Sequence, residues 1–142
     1  MKFIIFIITF LLTSPALSKD GCTPNLIKED MCLYAKKIVS EVRKSLPIKM
    51  SETAKITSLR SENTRVIATV IFSYNLYELK TVLSRNNISI NKMREIGRLH
   101  SNNNACSDDT LKSFLNLGGE FQYEYFFNDG SIYDVVTITN CI

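Results

Sequence analysis

Four cysteines, Cys22, Cys32, Cys106 and Cys141, in a chain that begins with an export leader constrain the fold more than any other feature. The leader is read from Met1 and Lys2 followed by an apolar run from Phe3 to Leu12, a positive charge ahead of a core too short to span a bilayer. Between Thr13 and Ser18 the residues turn small and polar. Ala16-Leu17-Ser18 presents small side chains at the positions a signal peptidase reads, so cleavage is expected after Ser18. A lipoprotein would carry its cysteine directly behind the apolar core, whereas Lys19-Asp20-Gly21 intervenes before Cys22. An uncleaved anchor is the alternative, and the short apolar core counts against it as well. In either case the folded part is expected outside the cytoplasm, periplasmic or secreted, where an even number of cysteines reads as disulfides. A metal site would need close cysteine pairs with histidines at ligand spacing, but these four are dispersed and His100 is the single histidine, so neither metal nor other cofactor is expected. Four cysteines allow three connectivities, and sequence alone leaves them open.

Removal of residues 1–18 from the 142 leaves a length suited to one domain, 19–142, with enough chain to bury one core. It also removes Lys2 from the 17 basic residues, which then nearly balance the 14 acidic ones, with both signs mixed along the chain. So slight an excess gives no footprint for nucleic acid. A second apolar run of spanning length is missing, so no stable membrane insertion is expected after signal cleavage.

Helix signals begin at Thr23, read as an N-cap with Pro24 in the first helical position, and apolar residues recur at Ile27, Met31, Tyr34, Ile38, Val42 and Leu46 until Pro47 stops them. Ala54 to Arg60 and Val66 to Tyr74, separated by the polar Ser61 to Thr64, predict an antiparallel hairpin whose second strand is covered on both faces. A short helix over Leu76 to Ser84 and a better one capped by Ser89 follow, the latter unwinding at Ser101 to Asn104. Ser107 with Asp108 and Asp109 starts another helix, which Gly118-Gly119 ends. A last hairpin alternates through Phe121, Tyr123, Tyr125 and Phe127, turns at Asn128-Asp129-Gly130 and returns from Ile132 to Cys141. The order predicts an α+β fold with helices packed on one face of a largely antiparallel four-stranded sheet. In that layout Cys22 and Cys32 flank the start of the first helix, Cys106 precedes a later helix and Cys141 closes the last strand.

The residues that would announce a reaction are sparse. A serine triad needs a histidine, and His100 lies near a helix end, where a solvent-facing or capping role is usual. A cysteine nucleophile is disfavoured because every thiol has a partner by count. Glu120, Glu124, Asp129 and Asp134 cluster in the last hairpin and could run glycoside hydrolysis, although Asp129 reads as a turn former and Glu124 as a solvent-side strand residue. Phe121, Tyr123, Tyr125, Phe127 and Tyr133 could stack on bases or sugars, and a sheet core explains them equally well. Asn87-Ile88-Ser89 matches a glycosylation sequon, which matters only in a eukaryotic secretory pathway.

Cys106-Ser107-Asp108, Leu115, Gly118, Tyr123-Glu124-Tyr125, Asp129-Gly130 and Cys141 resemble the quorum-sensing-regulated virulence factor family, small exported bacterial α+β proteins. Leu46-Pro47 and the paired strands behind it look similar too. The resemblance implies a bond between the two late cysteines, Cys106 and Cys141, which pairs Cys22 with Cys32, and it implies no catalytic residue. A similar helix-and-sheet layout occurs in pilotins of secretion systems, which are usually lipoproteins, and the missing lipobox counts against that assignment. The expected function is that of a non-enzymatic exported protein-binding or envelope accessory protein with a protein partner, associated with virulence. An immunity or inhibitor protein that blocks a toxin or hydrolase, and a pilotin-like secretion accessory, are the alternatives.

Overall fold

A computed structural model describes residues 21–141; the expected signal peptide, its cleavage after Ser18 and the lipidation question lie outside the described residues. The elements are α1 (Met31–Val42), β1 (Ile48–Ser51), β2 (Ala54–Glu62), β3 (Arg65–Phe72), α2 (Leu76–Arg85), α3 (Ile90–Ser107), α4 (Asp109–Asn116), β4 (Glu120–Phe126) and β5 (Ile132–Ile138). The fold is α+β. Its sheet, however, has five strands in the order β1-β2-β3-β4-β5 and is mixed, where four largely antiparallel strands were expected. The added strand is β1, four residues long, whose Ile48 and Met50 turn inward while Lys49 and Ser51 turn out; so short a run between Pro47 and a turn gives little periodicity to read. The parallel pair is β3 with β4, aligned from Arg65 against Glu120 to Ile71 against Phe126. Three helices lie between those strands, and a parallel pairing requires a long crossover of that kind.

The first helix starts at Met31 rather than near Thr23. Its N-cap is Asp30, whose carboxylate accepts from the Leu33 N–H at 2.9 Å. Ahead of it the chain is held as a loop by the Cys22–Cys32 disulfide, with Cα atoms 5.1 Å apart. Ten residues of continuous helix would separate them by about 15 Å, so a helix from Thr23 and this bond exclude each other. Asn25 fastens the loop, its amide accepting from Glu29 N–H at 2.8 Å and donating to Leu117 O at 3.2 Å. Ile27, expected on the inner face, is consequently exposed.

The longest helix, α3, also departs from expectation, since it runs through Ser101 to Asn104 without unwinding and reaches Ser107. Two of its serines bond back to the helix itself, Ser101 Oγ donating to Gly97 O at 2.7 Å and Ser107 Oγ to Asn104 O at 3.0 Å, and burial of Ser101 and Ala105 holds the helix through this polar run. Asp108, rather than Ser107, therefore caps α4 through the Leu111 N–H. The Cys106–Cys141 disulfide ties this helix junction to the end of the last hairpin.

The core lies between the sheet and its helices. Met31, Ala35, Ile38 and Val39 of α1 and Phe114 and Leu115 of α4 pack on Val66, Ala68 and Val70 of β3 and Phe121 and Tyr123 of β4. Gly118 takes φ +93°, and a Cβ on Gly119 would collide with the Phe114 ring, so the pair both ends α4 and lets β4 begin tightly against it. The opposite sheet face carries ion pairs: Arg60 grips Glu124 through two bonds of 3.0 and 2.9 Å, and Arg65 donates to Glu120 at 2.6 Å. Ile67, with Arg60 and Gln122 as its direct cross-strand neighbours on this face, is 1% exposed, which makes β3 the doubly covered central strand that its sequence predicts.

Candidate functional site

The helices do not cover their side of the sheet completely. Between the β1–β2 hairpin and α3 lies a cleft of about 220 Å³. Met50 and Ala54 stand on one side and Met93, Arg94, Gly97 and His100 on the other. Its floor is aromatic because β3, β4 and β5 each bring a ring to the same place. Phe72 stacks on Tyr125 with centroids 5.6 Å apart and meets Tyr133 edge-on at 5.5 Å, while Tyr74 stacks on Phe72 at 4.9 Å. The α2 residues Leu79 and Leu83 pack against Phe127 behind these rings and fix them.

Two polar links hold α3 at its distance from the floor. Ser101, buried to 1% exposure, has its Oγ 2.7 Å from the Tyr125 hydroxyl, and Arg98 binds both oxygens of Asp134 at 3.0 Å. Gly97 faces the gap, where an added Cβ would meet no atom within 4 Å. Burial pushes the Tyr74 phenol up to about 12. Burial also raises Tyr125, against the Ser101 hydrogen bond, and Tyr133, against the nearby Arg94 charge. These hydroxyls therefore stay neutral at physiological pH. A semi-apolar slot with neutral hydroxyls on its floor and Arg94 on its wall suits an apolar side chain and the polypeptide that carries it.

The carboxylates considered for hydrolysis do not converge. Glu120 and Glu124 lie on the open face in their arginine pairs, Asp134 lies under α3, and Asp129 bonds the Ser131 N–H and hydroxyl within the turn. His100 is exposed on the cleft rim, and among the described residues no nucleophile is hydrogen-bonded to it. Of the aromatic candidates, Phe121, Tyr123 and Phe127 are core, while Tyr125 and Tyr133 reach the cleft. Cys22, Asp30 and Cys32 form the one metal-like grouping among the described residues, but both sulfurs are in the disulfide and Asp30 caps α1. The serine of the sequon caps α3 through the Lys92 N–H. Phe72, Arg94 and Gly97 carry no motif, and only the assembly of β3, β5 and α3 makes them neighbours.

The class defined here is an α+β domain with a mixed five-stranded sheet, a helical layer and two disulfides. Among solved structures, a candidate secreted protein from Pseudomonas aeruginosa is similar to this chain with a TM-score of 0.60 and 12% identity, covering 76% of this chain and 88% of that one. The pilotin EpsS of the Vibrio vulnificus type 2 secretion system is similar with a TM-score of 0.59 and 16% identity, over 77% and 87% of the two chains. The type II secretion system pilotin AspS from Vibrio cholerae gives 0.58 and 14%, over 77% and 88%. At such identities the likeness is one of fold. No family model matches the chain, and no curated protein matches it in sequence, so the resemblance to quorum-sensing-regulated virulence factors gains no support.

Proposed function

We propose that this chain is a non-enzymatic accessory protein of an envelope secretion system, acting as pilotins do by holding another protein, and that the aromatic cleft is where it does so. The fold shared with two type II secretion pilotins over most of both chains carries this reading. Two further features support it. The cleft offers apolar rings and neutral hydroxyls rather than a nucleophile beside a base, and the two disulfides suit an oxidising compartment outside the cytoplasm. Among the described residues no helix is long and apolar enough to cross a membrane. Within the wider expectation of an exported protein-binding protein, the pilotin-like form is the reading that the shared fold supports, and neither an inhibitory loop nor a virulence role has an observation of its own.

Gly97→Leu gives a direct test, because it places a side chain in the cleft while replacing a poor helix former by one roughly 0.8–1 kcal/mol better in a helix interior. Deletion of the gene in its native host is expected to lower export through the secretion apparatus severalfold. The wild-type chain and Lys37→Ala, a change on the exposed side of α1 outside the cleft lining, should restore export, while Gly97→Leu, folded to the wild-type melting temperature, should not. Unchanged export on deletion, or full rescue by Gly97→Leu, would contradict the reading.

A further inference from the structure

Arg94 is the side chain of the cleft whose chemistry the fold does not use. The carboxylates that line the same grooves are taken: both Asp134 oxygens bind Arg98, and Glu95 pairs with Lys92 at 3.0 Å. Arg60, Arg65 and Arg98 each hold an acid, and Arg43 donates to the Leu59 carbonyl, whereas Arg94 Nε is buried with no hydrogen-bond partner. Its guanidinium instead rests over the Tyr133 ring, 5.5 Å from the centroid. The phenols around it are neutral and offer no countercharge. Buried donors without acceptors are rare enough that each calls for an explanation, and an arginine fixed on an aromatic face is already ordered for the fork of a carboxylate. Arg94 also stands where the cleft meets a second, shallower groove between α3 and the free edge of β5, so that a segment entering from either side passes it.

We infer that Arg94 anchors an acidic side chain of the partner's docking segment, set beside an apolar side chain that enters the aromatic cleft. This rests on the protein-binding reading above and names the chemistry that the site selects. Charge complementarity carries it: with Asp134 neutralised by Arg98, the cleft wall is left with one uncompensated positive charge over an apolar floor. A segment that is merely apolar would fill the slot and leave the Arg94 charge without a counter-ion, whereas one with an acidic neighbour supplies both.

The test uses two small probes, acetyl-leucyl-glutamyl amide and acetyl-leucyl-glutaminyl amide, titrated into the isotopically labelled protein by NMR. The glutamyl probe is expected to shift Gly97 and Tyr133 resonances saturably and to bind about fivefold tighter than the glutaminyl one, the scale of a half-exposed ion pair. In Arg94→Gln, which removes the charge and keeps a polar, helix-compatible side chain, the two should bind equally and weakly, and 0.5 M salt should erase the preference in the wild type. Equal binding of both probes to the wild type, a glutamyl preference that survives in Arg94→Gln, or no saturable shift with either probe would each overturn the inference. The Gly97→Leu export result is independent of all three, so the protein-binding reading stands or falls separately.

Discussion

Phe114→Ala is expected to cost about 3–5 kcal/mol of stability, the largest effect of any single substitution considered. The ring is fully buried, lies edge-on to Tyr34 with centroids 5.4 Å apart, and faces the bare Gly119 backbone across which β4 begins. Its neighbours are strands and α1, whose first turn is tied by the Cys22–Cys32 disulfide, while the Cys106–Cys141 disulfide holds the α3–α4 junction, so the void left by the ring has little to collapse into it, which favours the upper part of that range. For a domain of this length each 1 kcal/mol shifts the melting midpoint by about 3–6 °C, so a fall of at least about 10 °C is expected. Urea unfolding should show the same loss as a lower midpoint at unchanged slope. A cost under about 1 kcal/mol would mean that α4 does not dock where described.

The second large effect concerns the disulfides. Cys106 and Cys141 are 35 residues apart in sequence, and Cys22 and Cys32 are 10 apart. On the chain-entropy account, closing the longer loop stabilises by about 3.8 kcal/mol and the shorter by about 2.7 kcal/mol. The longer loop also fastens the end of α3, one wall of the cleft, to the end of β5. Cys106→Ala/Cys141→Ala should therefore melt about 10–20 °C below the wild type, and a few degrees below Cys22→Ala/Cys32→Ala. Calorimetry of the two double variants at equal concentration decides it, and the reverse order would show that the loop before α1 matters more to the core than the α3–β5 tie does.

Both effects were partly legible in the residues. Phe114 follows from the spacing of Leu111, Phe114 and Leu115 before Gly118-Gly119, and the final hairpin follows from its alternation and its Asp129-Gly130 turn. The first helix shows where local reading fails. Thr23-Pro24 is a good start signal on its own, yet the Cys22–Cys32 bond needs its Cα atoms 5.1 Å apart, and a covalent constraint overrides a capping preference of about 1 kcal/mol. In α3 the asparagines at 102 to 104 look like a break, but burial of Ala105 and Ser101 against the sheet holds the helix together. The pairing of β3 with β4 is set by three intervening helices, so no short window contains it. The cleft is harder still, because Phe72, Gly97, Arg94 and Tyr133 come from three elements whose approach depends on that parallel pairing. Individually, Phe72 is a strand residue and Arg94 a charge on an amphipathic helix.

The cleft as a site for a partner protein is the central claim, and cross-linking from its rim tests it most directly. His100 is exposed and lines the cleft, so a photoreactive benzoylphenylalanine there should leave the fold intact. Lys37, exposed on α1 and absent from the cleft lining, serves as the comparison position. Irradiation of the native host should join the His100-substituted chain to a component of the secretion apparatus identified by mass spectrometry, with the adduct lost in Gly97→Leu and no such adduct from position 37. An adduct from position 37 but not from 100, or one that persists in Gly97→Leu, would contradict the account.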